Sequence, residues 1–340
     1  MNVYINSIKQ ISVQQPLSDE WFEQPVFYSE PFVRAIEPDY KQYFTPNEAR
    51  RYGKILKRAL LVSRQAMLES VVLQPDAIIA GTGLGCMENT EIFLEKLVWE
   101  GEELLNPTHF MQSTHNTISS LIAIDAKCHA YNSTYSHKGI SFECALQDAF
   151  MQLKSKKIQS ALVGAHDEMT QTSFKLQKKG GFLSKLNQTF AGEIAVAMML
   201  STEKSEKTWC EIEAVEKTYT GSRHCGLDPQ SLASLPTDID YIMVGVNKGE
   251  ENDKIYFENC AKLFPDIPLL QYKNIFGEEY TSSALGVYAA AVCLQKGKIP
   301  EHLKITNTDL RMMNNKVKKI LCYNHVEGKN HTFVLLSRQS

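Results

Sequence analysis

The sequence predicts an α/β protein made of two similar halves. Short apolar segments typical of buried strands alternate with segments whose apolar residues recur every three or four positions, as in helices. This alternation runs to about residue 203 and restarts after the polar segment Glu203–Lys207. Strands that alternate with helices favour βαβ units, so each half is expected to be α/β. The predicted halves are residues 1–203 and 204–340.

The first half contains most of the predicted elements. The N-terminal residues alternate like an edge strand and lack the basic start and apolar core of a signal peptide. The predicted helices are Ala49–Ser70, Glu88–Trp99, Thr117–Ala126 and Ser141–Leu153, the last with Ser141 as its N-cap. The predicted strands are Asp76–Gly85, which runs into a glycine-rich turn, and Tyr131–Tyr135, Ala161–Ala165 and Glu193–Leu200.

The second half repeats the pattern more sparsely. A strand is expected from Trp209, and Asp240–Asn247 is predicted as a buried strand that leads into a charged loop. Thr281–Lys296 is an alanine-rich helix by its periodicity, and Lys319–Tyr323 with His331–Leu336 form a closing pair of strands.

Composition excludes several classes of function. Of 340 residues, 43% are hydrophobic and 22% charged, as in ordinary globular proteins. The net charge of -3 gives no basic surface for nucleic acid or an anionic membrane. No apolar segment approaches the ~20 residues that a membrane span needs. We therefore expect a cytoplasmic protein without a nucleic-acid partner or a membrane span.

The eight cysteines do not form a metal-binding pattern. None belongs to a CxxC pair, and none has a histidine at zinc-ligand spacing. We expect buried thiols that act as small hydrophobes, and no metal or cofactor. The positions are Cys86, Cys128, Cys144, Cys210, Cys225, Cys260, Cys293 and Cys322.

Several segments, in chain order, resemble the landmarks of β-ketoacyl synthases. They match the family's early glycine-rich turn, its nucleophile segment and following strand, its GEGA turn, its KxxxGH segment and its last strand pair. The segments are Gly81–Gly85, Asn132–Ala149, Ala161–Asp167, Gly192–Ala195, Lys273–Gly277 and Leu321–Leu336. The resemblance implies the thiolase fold, in which two βαβαβ-type halves pack as αβαβα layers around buried central helices.

That family joins acyl units with one cysteine and two histidines, and the resemblance implies that all three are lost here. A cysteine thiolate at a helix N-terminus accepts the acyl group, and two histidines donate hydrogen bonds to the carbonyl and the enolate. Gly139 occupies the cysteine position, with Lys138 as the alternative. Asn247 is the nearest counterpart of the first histidine, and Glu278 replaces the second. Lys273, which supports that histidine in the family, is retained.

The closing loop departs from the family pattern as well. Asn324–Asn330, which includes His325, replaces most of a GFGGxN sequence. Since glycines let a loop approach the acyl pocket and swing, that motion is not expected here.

Other chemical interpretations compete with simpler ones. His137 and Lys138 could form a surrogate acid/base pair, although an exposed basic loop is the simpler interpretation. Ser141 could serve as a nucleophile, but an N-cap explains it. Cys144 lies about one and a half helical turns inside the helix, so its sulfur faces another direction.

Two charged groups have similar alternatives. Glu278 and Glu279 could handle protons or bind a metal with Asp253, but we favour a solvated pair at a helix start. The turn Gly81–Gly85 could bind a nucleotide, but it lacks the GxGxxG spacing and the distal acidic residue of that motif, so we disfavour this role. Three lysines after the helix could dock an acidic carrier protein or form a solvated charge run; they are Lys154, Lys156 and Lys157.

The resemblance thus implies a chain-length-factor-like protein, the inactive partner of an active ketosynthase in fatty-acid or polyketide-type pathways such as aryl polyene synthesis. Its expected partners are the active subunit, bound near Asn132–Tyr135, or a second copy, together with an acyl carrier protein. An acyltransferase or decarboxylase that uses Cys144, Ser141 or Glu278, and a carrier-protein scaffold, stay open as alternatives.

Overall fold

The structure is a computed structural model that describes residues 1–102, 105–183, 189–221, 227–228, 232, 235–236, 238–305 and 316–339. Its strands are β1 (Val3–Ile11), β2 (Ala77–Gly81), β3 (Tyr131–Tyr135), β4 (Ser160–Asp167), β5 (Ile194–Ser201), β6 (Cys210–Tyr219), β7 (Tyr241–Val244), β8 (Leu269–Gln271), β9 (Lys319–Val326) and β10 (Asn330–Ser337). Its α-helices are α1 (Pro46–Arg51), α2 (Lys54–Ser70), α3 (Met87–Glu100), α4 (Pro107–Ser113), α5 (Thr117–Asp125), α6 (Ser141–Lys154), α7 (Gln171–Lys179), α8 (Glu250–Leu263), α9 (Lys273–Phe276) and α10 (Ser283–Lys296).

The strand order repeats between the two halves of the chain. Along the sheet the order is β3-β2-β4-β5-β1-β6-β10-β9-β7-β8. Read from its outer edge inward, the set β1–β5 has the order third, second, fourth, fifth and first strand. The set β6–β10, read from the other edge, has the same order. In each set, counted from the outer edge, the first three strands are parallel to one another. The fourth strand is antiparallel to the third, and the fifth is antiparallel to the fourth. The division at residues 203 and 204 itself stays a prediction.

The two strand sets meet through the N-terminal strand. β1 pairs with β5 over most of its length, and Val3–Ile5 also pair with β6. The prediction of an edge strand at the N-terminus is therefore wrong. Alternation alone could not place the strand, because its second neighbour follows about 200 residues later in the sequence.

Helices fill three layers around the strands. α6 packs on β2 and β4 of one set and on β6 of the other, while α10 packs on β7, β9, β10 and β5. α2 and α5 cover the outer face of the first set, and α8 covers that of the second. The result is the α/β architecture in αβαβα layers that the sequence predicts.

The central layer depends on small side chains. Every residue of α10 from Ser283 to Leu294 is buried, and alanines at 284, 289, 290 and 291 keep its surface flat. A helix that is apolar on all sides is typical of a position inside the core. α6 presents Ala145 and Ala149 to the same core, so the two helices approach closely.

Some helices differ from the prediction. The segment Ala49–Ser70 is broken at Tyr52 and Gly53 into α1 and α2. The expected charged loop after β7 is the helix α8, which buries Tyr256, Asn259 and Cys260. These residues have the three- and four-residue spacing of a helix, but the charged residues on the other faces of α8 obscured this pattern in the sequence.

Cysteine burial agrees with the prediction where it can be compared. All seven described cysteines are free, six of them buried and Cys128 half-buried. Cys225 lies outside the described residues. No described helix combines the length and the hydropathy that a membrane span requires.

Candidate functional site

The predicted nucleophile position lies in a short 3-10 turn, Lys138–Ile140, that leads into α6. A Cβ on Gly139 would lie 2.7 Å from Cγ2 of Val326 at the end of β9, so that residue fills the space a side chain would need. Lys138 has a left-handed φ of 51° and is exposed, as is His137. Neither position offers a thiol.

Ser141 and Cys144 serve the local structure. Ser141 is the first residue of α6 rather than its N-cap, which is Ile140, so that prediction is wrong. Its hydroxyl donates to Lys138 O and accepts from His137 N, which fixes the turn. Cys144 accepts a hydrogen bond from Lys217 Nζ at 3.3 Å, and burial nevertheless raises the pKa of its thiol.

Three other predicted site residues form one polar group, in which Lys273 and Glu278 are buried and Asn247 is half-buried. Lys273 Nζ lies 2.8 Å from each carboxylate oxygen of Glu278, and both residues are buried. Asn247 Nδ2 donates to Glu278 Oε2 at 2.8 Å. The Glu278 carboxylate is thus held by one ammonium and one amide, with a longer hydrogen bond of 3.4 Å from Ser282 Oγ, and it presents no hydrogen-bond donor to a bound carbonyl.

Gly245 was missed by the sequence analysis. It follows β7 directly, whereas the predicted strand extended to Asn247 because Gly-Val continues its apolar run. A Cβ at Gly245 would lie 2.6 Å from Tyr256 Oη, 3.1 Å from Tyr272 Oη and 3.2 Å from Lys273 Cε. Two tyrosines therefore occupy the space that a larger side chain after this strand would need. The expectation that the first histidine follows a buried strand was the signal that could have identified it.

The prediction of a solvated glutamate pair is wrong, because Glu278 and Glu279 are both buried. Both precede α10 and lie on the segment between α9 and that helix. Burial and the nearby Asp167 raise the pKa of Glu279 well above its usual value. The Asp167 side chain accepts hydrogen bonds from Thr82, Gly83 and Leu84 of the glycine-rich turn and from Thr281. It therefore joins this turn to the second half of the chain.

The metal interpretation has no support in the described part of the chain. Asp253 accepts from the backbone N–H groups of Asn247 and Lys248, and so closes the loop before α8. Among the described residues, no group of three or more His, Cys, Asp or Glu side chains could hold a metal ion.

The closing loop is a tight hairpin between β9 and β10. Its loop is residues 327–329, and a hydrogen bond from Lys329 N to Val326 O closes a turn whose inner residues, Glu327 and Gly328, have positive φ of 54° and 64°, the signs that a type I′ turn requires. His325 is buried, donates through Nε2 to Asn252 O and accepts at Nδ1 from Gly328 N. Burial lowers the pKa of His325 to about 3, so it is neutral and structural.

The predicted docking lysines lie at the far end of α6 from the site. Lys156 and Lys157 are exposed, and Lys154 lies over the Phe150 ring. They are thus separate from the Lys273–Glu278 group, which the structure builds from β7, α9 and the segment before α10.

Comparison with protein families connects this geometry to a known fold. Residues 44–249, more than half of the chain, match the model of the β-ketoacyl synthase N-terminal domain. The chain belongs to the β-ketoacyl synthase family. No curated protein matches it in sequence.

Solved structures from this family share the whole fold. The ishigamide ketosynthase/chain length factor is 16% identical with a TM-score of 0.83, covering 100% of this chain and 99% of that one. A β-ketoacyl synthase from Burkholderia phymatum STM815 is 12% identical with a TM-score of 0.79, covering 100% of both chains. A ketosynthase in complex with its chain length factor from Xenorhabdus doucetiae is 13% identical with a TM-score of 0.77, covering 99% and 98%. At these identities the likeness shows the thiolase fold.

Proposed function

We propose that this β-ketoacyl synthase homologue is a non-catalytic, chain-length-factor-like subunit that pairs with an active ketosynthase in fatty-acid or polyketide-type biosynthesis, for example of aryl polyenes. It would act in the cytoplasm and without a cofactor. The observation that carries the proposal is the Lys273–Glu278 ion pair, because the sequence resemblance predicts that Glu278 replaces the second catalytic histidine.

The chemistry of condensation explains why this pair matters. Decarboxylation of a malonyl unit develops negative charge on the enolate oxygen, which the family stabilises with histidine hydrogen bonds. A carboxylate at the same place repels that charge. Here Lys273 and Asn247 already occupy both oxygens of Glu278. At the nucleophile position, Gly139 has no group to acylate.

The edge of the sheet supports pairing with a second chain. β3 ends the strand order and pairs only with β2, so its other edge is free within the described structure. Exposed apolar side chains lie on both faces of the sheet beside this edge: Tyr131 is on the face that α6 covers, where its hydroxyl donates to Asp148, and Ile124, Met111 and Phe110 are on α5 and α4, of which α5 covers the other face. An exposed strand edge beside an apolar surface is typical of an interaction site. An active synthase of the same fold is our proposed occupant, and a second copy of this chain is the alternative.

Two structurally similar proteins are consistent with this proposal. One is a ketosynthase/chain length factor, and the other is a ketosynthase in complex with its chain length factor. A third describes a type II acyl-carrier protein in complex with its ketosynthase. By analogy we propose that an acyl carrier protein visits the complex and that the exposed Lys156 and Lys157 contribute to docking.

Intact-mass measurement tests the absence of catalysis directly. We expect no acyl adduct on the pure protein after incubation with acyl- and malonyl-carrier protein, and no loss of carbon dioxide. A stable adduct would overturn the proposal and favour an acyltransferase. The C144S and S141A variants would then identify the nucleophile, and E278Q would test a decarboxylase.

Co-expression tests the partner. We expect the chain to co-purify with a ketosynthase from the same genome as a 1:1 complex and to be required for product formation. If the complex forms but product length does not respond to enlarged side chains at the interface, the chain is a carrier-protein scaffold instead.

A further inference from the structure

Two neighbouring helices expose a group of large apolar side chains. In α3 these are Leu94, Val98 and Trp99, with exposed fractions of 49%, 71% and 83%. In α4 they are Phe110 and Met111, with exposed fractions of 54% and 64%. Trp99 is the most exposed large apolar side chain in the part of the chain that the structure describes. A concentration of apolar side chains on the surface of a folded protein marks an interaction site.

The start of α3 is fixed to the rest of the chain, whereas its end is exposed. Asn89 is the single buried residue among those that the structure describes in α3 and α4. The Glu88 N–H group donates to Glu168 Oε1 at 2.9 Å, and the Glu91 carboxylate accepts from Thr170. These contacts all lie in the first two turns of α3. The exposed apolar residues lie in its last two turns, so they do not contribute to this attachment.

Acidic side chains surround the exposed apolar residues. Between residues 87 and 113 the sequence contains six glutamates and one lysine, Lys96. Glu95, Glu100 and Glu102 are exposed and alternate with the apolar residues along the end of α3. A surface of this charge attracts basic groups and repels acidic ones. The partner that fits is therefore a protein with an apolar pocket rimmed by lysine and arginine.

The same charge excludes two other occupants. A closed homodimer uses the same surface on both chains, so a second copy would bring two acidic surfaces into one interface. An acidic carrier protein is repelled for the same reason. A different protein with a basic surface meets neither obstacle.

The location of these helices agrees with such a partner. The Phe93 and Phe110 rings lie 5.3 Å apart, so α3 packs against α4. α4 contacts α5, and α5 contacts β3, whose outer edge is free within the described structure. A chain that pairs with the edge of β3 is therefore near α4 and α3 as well.

We propose that α3 and α4 form an arm that inserts Val98 and Trp99 into a basic-rimmed apolar pocket of the active ketosynthase, and that the glutamates of this arm select the ketosynthase over a second copy of this chain. The choice of this occupant rests on the function proposed above. Binding energy at interfaces is concentrated in a few anchors, among which tryptophan is enriched. The arm thus supplies both an anchor and a selection by charge.

Binding measurements with purified ketosynthase test the anchors. W99S and V98S change exposed side chains, so both variants should fold normally, and each should raise the Kd of the complex by roughly 30-fold. The control F257S replaces an exposed aromatic residue of α8, in the opposite outer layer, and should change the Kd less than about twofold. Equal Kd values for W99S, V98S and the wild type would overturn the proposal.

Association kinetics test the selection by charge. The double variant E95K/E100K should slow association with the ketosynthase by roughly tenfold at low salt, and added salt should remove the difference. E258K, which reverses an exposed charge on α8, is the matched control and should associate like the wild type. Faster association of E95K/E100K, or a wild-type homodimer that W99S dissociates, would show that the occupant is different.

Fluorine NMR locates the contact directly. The chain has three tryptophans, and Trp21 and Trp209 are buried, so in a 5-fluorotryptophan-labelled chain only the Trp99 resonance should move when unlabelled ketosynthase is added. The W99F variant assigns this resonance. A complex that forms without any change at Trp99 would overturn the arm and leave the proposed function standing. Failure of the wild type to bind any ketosynthase would overturn both.

Discussion

At the scale of single residues, the buried Lys273–Glu278 pair makes a sharp stability prediction. Removal of one partner leaves an unpaired buried charge, so K273M should destabilise the protein by about 3–5 kcal/mol in urea unfolding. The double variant K273M/E278L should recover much of that loss. The matched control is K298M, which breaks the exposed Lys298–Glu23 pair and should change little. Equal losses in the single and double variants would contradict the interpretation.

Gly139 gives a second residue-scale prediction. Because a Cβ there would lie 2.7 Å from Val326 Cγ2, G139A should destabilise the fold by about 1–3 kcal/mol through overpacking. V326A removes the obstructing methyl group, so G139A should be far less harmful in that background. A double-mutant cycle of thermal or urea unfolding measures the coupling. Additive effects would show that Val326 is not the obstacle.

The sequence singled out Lys273 and Glu278 through the KxxxG spacing, and the structure brings their side chains into contact. Their correspondence to the family's catalytic segment stays a prediction. The residue that follows β7 was harder to predict, because the sequence does not show whether the strand ends before Gly245 or continues to Asn247. A small cavity between α6, α10 and the β9–β10 hairpin could not be predicted at all, because only the tertiary fold brings its lining residues together: Glu143, Tyr272, Ser283, Asn324 and Thr332.

At the scale of elements, the β9–β10 hairpin allows a test of turn chemistry. Glu327 has a φ of 54° without being glycine or asparagine, which costs a non-glycine residue about 1–2 kcal/mol. E327N gives the Asn-Gly pair that type I′ turns favour, and it should stabilise the protein by about 0.5–1 kcal/mol. G328A should destabilise the protein, because alanine is less favourable than glycine at a φ of 64°. A destabilised E327N protein would contradict the turn assignment.

The elements themselves were predictable where periodicity is local. β2, β3, β4 and α6 follow one another along the chain, and their bounds agree with the prediction within a few residues. α8 was not recognised and the N-terminal strand was wrongly predicted at an edge, for different reasons. α8 exposes charged faces around a narrow apolar stripe, whereas the position of β1 depends on partners that are distant in sequence.

At the scale of the whole molecule, the free edge of β3 carries the prediction of partner binding. A charge placed in the centre of an apolar interface is costly, so I124K and Y131K should abolish co-purification with the ketosynthase. F257K, on α8 in the opposite outer layer, is the control for an exposed aromatic residue and should leave binding intact. The measurement is size-exclusion chromatography of the co-expressed pair. If F257K dissociates the pair and I124K does not, the interface lies elsewhere.

The position of β1 between the two strand sets has a consequence for folding on the ribosome. β1 is synthesised about 190 residues before β5 and about 200 before β6, its only neighbours in the sheet. At translation rates of about 5–20 residues per second, it must wait roughly ten to forty seconds for its first partner. During that time an apolar strand with two open edges is exposed to aggregation. We therefore expect slow folding of high contact order and a strong dependence of soluble yield on chaperones during synthesis.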